Sequence, residues 1–88
     1  NIPSSIKDQL NKKLTDHIEA LKLAKEISQE LTIEEQLWLI NFQQNIFWKK
    51  YYDRDAVKNL DELRKQIISF VQPRLAWEIA LLNINFNN

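Results

Sequence analysis

Apolar positions recur along this chain at steps of three and four, the spacing of α-helix, almost from one end to the other. Leu10, Leu14, His17, Leu21, Ala24, Ser28 and Leu31 form a heptad seam, which Ile6, Ile18, Leu23 and Ile27 widen into a bundle face. Ser5 and Asp8 have the spacing of a weak capping box, so the pattern predicts one helix from about Ser5 to about Gln29. A helix of about 24 residues is about 36 Å long. A globule of this chain length has a radius of gyration of only ~12 Å. Such a helix would span the whole body, and the rest of the chain would run back along it.

The next helix, Thr32 to Tyr52, starts at a clear capping box, Thr32 with Glu35. Ile33, Leu37, Ile40, Phe47, Trp48 and Tyr51 project to one side of it, and Trp38, Leu39, Phe42 and Ile46 to the other. A rim helix needs one apolar stripe, whereas one that is apolar nearly all round is buried or meets a partner. The connection at Leu31–Thr32 is short, which predicts an antiparallel pair with the first helix. Asp53-Arg54-Asp55 breaks the pattern, and a third helix begins between 54 and 60, capped by one of these aspartates or by Asn59 with Glu62. Val57, Leu60, Leu63, Ile67 and Val71 are its stripe. Pro73 opens a fourth helix, 73 to about 84, with Leu75, Ile79, Leu82 and Phe86 on one side and Trp77, Leu81 and Ile84 on another. The asparagine-rich tail, 83–88, is expected to fray. The expected fold is all-α, a small up-and-down bundle of three to four helices built on a long antiparallel helical hairpin, with residues 1–88 as one domain.

Composition narrows the function. Glycine is absent, so the phosphate-cradling loops of P-loop and dinucleotide sites, which need close backbone approach, are excluded. Without glycine, tight β-hairpins are disfavoured too. Cysteine is absent, which removes disulfides and thiolate metal sites. No apolar run nears the ~18 residues of a membrane span, and no stretch resembles a signal peptide. A cytoplasmic location is expected. The first residue is Asn1 rather than methionine, which leaves room for a longer parent chain.

Candidate chemistry is sparse. His17 is the single histidine, in the seam, where a structural role is expected. It lacks the partners a metal needs, and along a helix it would stand ~16 Å from Ser28, too far to activate it. Glu26, Glu30, Glu34 and Glu35 gather at a turn and are expected to be solvated or capping. No catalytic residue, metal ligand or cofactor is expected, and the chain is not expected to be an enzyme.

Charge is balanced, with 12 basic and 12 acidic residues. Lys49, Lys50, Arg54, Lys58, Arg64 and Lys65 are the nearest approach to a nucleic-acid patch, with the first four as its candidate contacts, but Asp53, Asp55, Asp61 and Glu62 are interleaved and cancel most of the charge. Nucleic-acid regulation is therefore the lesser alternative. The aromatic surplus carries more weight, because interface centres favour aromatic residues. Trp38, Phe42, Ile46, Trp77, Leu81 and Ile84 are the expected partner-binding residues. The partner would be a second copy, giving a homodimer, or another protein, with the chain serving as adaptor, docking domain, or antitoxin- or immunity-type regulator. Residues 31–40, LTIEEQLWLI, resemble a helix common in small bacterial antitoxin-type proteins, a pattern too generic to assign a family.

Overall fold

The computed structural model describes residues 2–69 and 71–86. Five helices follow one another: α1 (Ser4–Asn11), α2 (His17–Glu30), α3 (Ile33–Ile46), α4 (Arg54–Ile68) and α5 (Pro73–Phe86). A wider π-helical turn, Phe47–Tyr51, extends α3. No strand occurs among the described residues. The expected all-α class holds, and the arrangement within it differs in three respects.

The long first helix is two helices. The body measures 28 × 24 × 23 Å with a radius of gyration of 11.7 Å. A helix of about 36 Å would protrude from it, and the 14 residues of α2 span only about 21 Å. The break lies at Lys12–Asp16. Lys12 is extended (φ −104°, ψ 150°), and the Asp16 carboxylate accepts from the Ile18 N–H at 2.7 Å, capping α2 afresh. Leu14 drops from the seam into the core, and its N–H donates to Asn85 Oδ1 at 3.1 Å. The inward face of α2 is Ala20, Leu23, Ala24 and Ile27, so Ile18 and Leu21 lie exposed.

The central helix is α5. It packs chiefly against α2 on one flank and α4 on the other, while α3 packs on α4. The α2–α3 hairpin expected from the short connection is not among the main packing contacts. Ala76 and Ala80 are small enough to let both flanking helices approach, and Trp77 fills the space between them, fully buried. Proline at the first helical position sets the start of α5. Its end is held further than expected: Asn85 donates to the Leu81 carbonyl as well as accepting from Leu14. Residues 87–88 of the expected frayed tail lie outside the described residues.

The inward arc of α3 falls between its two apolar sides. Gln36, Leu39, Ile40 and Gln43 are the buried residues. Gln36 is satisfied on both ends of its amide, donating to the Leu31 carbonyl at 3.1 Å and accepting from the Trp77 indole N–H at 2.9 Å. Two glutamines on the core side free apolar residues for the surface. For α4, the Asp53 carboxylate accepts from the Ala56 N–H at 3.0 Å and fixes the start at Arg54. One apolar core draws on all five helices, from Ile6 in α1 to Leu81 in α5.

Candidate partner-binding surface

The third helix leads from core to surface within one turn. Its capping box is formed in full: Thr32 Oγ1 accepts from the Glu35 N–H at 3.1 Å, and the Glu35 carboxylate accepts from the Thr32 N–H at 2.8 Å. That backbone donor, more than any other group, holds the Glu35 carboxyl below its ordinary value. With the helix start fixed, Leu39 and Ile40 point inward and Trp38 points out, 49% exposed. One turn on, Phe42 stacks on Trp38, ring centroids 5.1 Å apart and planes within 12°. The Lys7 ammonium of α1 sits 5.2 Å from the Trp38 ring and 5.4 Å from that of Phe42. Ile46 continues the same i, i+4 row, half-buried.

This face is flanked but not covered. On one side α1 meets α3 through Lys7, and through the Leu10 carbonyl that accepts from Gln43 Nε2. On the other, Arg64 of α4 donates to the side-chain oxygens of Asn41 and Gln44, and also pairs with Asp61 at 2.7 Å. Gln44 Nε2 in turn donates to the Val57 carbonyl at 3.0 Å. These contacts fix α3 against α4 and leave Trp38 at the surface.

The expected partner-binding set therefore divides. Trp38, Phe42 and Ile46 share one row, Trp38 exposed and Phe42 and Ile46 half-buried. Trp77 and Leu81 are core residues, buried because α5 lies between α2 and α4 and because the Trp77 indole finds Gln36. Ile84 is half-buried elsewhere, beside Leu81. The outward side of α5 is the other one, where Leu75 and Ile79 are exposed. A pointer in the sequence was available: Ala76 and Ala80 flank Trp77, and small residues belong where helices approach closely.

Lys49 and Lys50 lie on the π turn, and Arg54 and Lys58 on the first turns of α4. All four are exposed and form no ion pair among the described residues. Trp48, Tyr51 and Tyr52 are exposed beside them, with the Lys50 ammonium 5.4 Å from the Tyr51 ring. His17 is exposed rather than set in a seam, its ring 4.3 Å from that of Phe86. No group of three or more His, Cys, Asp or Glu side chains among the described residues is placed to hold a metal ion. None of the described helices is long and apolar enough to cross a membrane.

The family model of the cyanobacterial DNA polymerase III delta prime C-terminal domain matches residues 1–84. No curated protein and no solved structure matches the chain. The family is that of a polymerase subunit, so the likeness of residues 31–40 to antitoxin-type helices reflects only their capping box and Leu/Trp pattern.

Proposed function

Because the chain belongs to the family of cyanobacterial DNA polymerase III delta prime C-terminal domains, we propose that it is a non-catalytic interaction domain of a replication polymerase assembly. It docks another protein subunit through the Trp38 face of α3, and a cytoplasmic location goes with that role. The observation that carries this reading is the stacked Trp38–Phe42 pair, half in water and held from beneath by a fixed helix start. Large aromatics that are already ordered lose little entropy on binding, which is why few such residues dominate an interface. The exposed side of α5, with Leu75 and Ile79, gives the domain a second apolar surface. One domain can thereby touch more than one neighbour in an assembly.

Mixing the chain with the remaining subunits of its polymerase III assembly and measuring complex formation by size-exclusion chromatography with light scattering tests this. The expected result is a hetero-complex that Trp38→Ala weakens by about 2–4 kcal/mol while the isolated domain stays folded. A chain that forms only homodimers would replace the partner with a second copy. Absence of any complex, or a complex indifferent to Trp38→Ala, overturns the reading.

A further inference from the structure

Between α1, the π turn and the C-terminal half of α5 lies a cleft of about 410 Å³, within the size range of sites that bury a ligand or a partner's side chains. Its floor is apolar, made by Leu10, Leu14, Phe47, Leu60, Leu81 and Ile84. Lys12 and Lys13 stand on its rim with Tyr51 and Asp53. Asp53 is already engaged, since its carboxylate caps α4 through the Ala56 N–H. The two lysines are exposed and form no ion pair among the described residues. They lie on the segment that separates α1 from α2, where the bond from the Leu14 N–H to Asn85 fixes the path of the chain.

The wall of the cleft holds an unmet acceptor. Gln43 is 2% exposed, and its Nε2 donates to the Leu10 carbonyl across 3.4 Å, a long bond. Its Oε1 is buried and has no partner among the described residues. A buried acceptor is destabilising until a donor reaches it, and the weak bond beside it is where the wall can relax.

We propose that this cleft is a docking site for a short acidic segment of a partner protein. One large apolar side chain of the segment sits on the floor, flanking carboxylates face Lys12 and Lys13, and an N–H of the segment meets Gln43 Oε1 as the wall opens. Charge complementarity selects this occupant, because the rim offers two unpaired cations against one engaged carboxylate. Nucleic acid would satisfy the lysines, but its polar base edges would lie unpaired against a floor of leucine, isoleucine and phenylalanine. The site uses Gln43 and Phe47, not Trp38 and Phe42, and so stands independently of the aromatic face.

Fluorescence anisotropy on the full chain tests it, with a labelled synthetic peptide carrying a central Leu-Phe pair between aspartates. The aspartate peptide is expected to bind at least roughly tenfold tighter than the same peptide with lysines, and to weaken as salt is added. Lys12→Glu with Lys13→Glu, both at exposed positions, should lower affinity by roughly tenfold or more without lowering the melting temperature. Gln43→Leu should weaken binding while raising the melting temperature, a split that a merely structural glutamine would not produce. Trp38→Ala should leave peptide binding unchanged. Lack of binding, equal binding of the lysine peptide, or indifference to the double lysine reversal overturns the proposal. So does displacement of the peptide by oligothymidylate at lower concentrations than by unlabelled peptide, which would assign the rim to phosphate.

Discussion

The Trp77 indole and the Gln36 amide join α5 to α3 by a hydrogen bond across 41 residues of chain, wholly inside the core. Replacing Gln36 by leucine leaves the indole N–H without an acceptor, and an unmet buried donor costs about 1–3 kcal/mol. Trp77→Ala opens a cavity as well, and about 3–5 kcal/mol of folding stability should be lost. Urea unfolding measures both, and losses below half a kcal/mol in each would mean the core does not depend on this pair. Trp38→Ala is the contrasting case. Trp38 is half exposed, so its truncation should cost little folding stability and show instead in association with a partner. The two tryptophans look alike in the sequence, and their opposite fates define which is structural.

Helix ends carry much of the order in this chain. Without glycine, the residue that closes α3 beyond the π turn is Tyr52, in the left-handed region at φ 53°, ψ 36°. That conformation disfavours a side chain bearing Cβ. Tyr52 is 81% exposed and packs on little, so Tyr52→Gly should raise stability by about 0.5–1 kcal/mol. A lower melting temperature in that variant would show that the tyrosine ring contributes contacts that outweigh the strain. Asp16→Ala should remove the cap of α2 and cost about 0.5–2 kcal/mol, read as lost helicity by circular dichroism. If the first two helices were continuous, as the heptad seam implies, the same change would be neutral or stabilising. The cap of α3 depends on pH. Because the folded value of the Glu35 carboxyl is depressed, the stability it contributes is present above the ordinary value of 4.5 and is lost as pH falls through the folded value. Thermal melts of the native chain and of Glu35→Gln should therefore converge on acidification, and curves that stay parallel throughout would count against the linkage.

At the scale of the whole molecule, charge is balanced, with 12 basic and 12 acidic residues, so no net field favours a polyanion. Duplex DNA should bind weakly or not at all at ~150 mM salt, since Asp53, Asp55, Asp61 and Glu62 offset most of the charge of Lys49, Lys50, Arg54, Lys58, Arg64 and Lys65. Electrophoretic mobility shift on random duplex checks this, and sub-micromolar binding lost in Lys49→Ala with Lys50→Ala would restore a nucleic-acid role. Chelation by EDTA should leave the melting temperature unchanged, consistent with the scattered ligand-type side chains.

Local chemistry in the sequence determined the helical class, the cap at Thr32 and the start at Pro73, because capping and proline effects act within one turn. For α4 it supplied most of the inward stripe, Leu60, Leu63 and Ile67, but left Asp53 as one of three candidate caps. It also determined that Trp38, Phe42 and Ile46 share a row, since helical phase follows from spacing alone. Asp16 with Glu19 was a legible second cap on the same rule, masked by a heptad seam that runs across it. What only the tertiary structure decided is which apolar side faces inward. Periodicity counts Gln36 and Gln43 as polar and hence outward, yet burial is stable for Gln36 because Leu31 and Trp77 satisfy it from distant positions. Likewise Trp77 and Leu81 became core once α5 took the place between α2 and α4. Spacing fixes the phase of each helix relative to itself, while the rotation of one helix against another is set by partners far away in the chain.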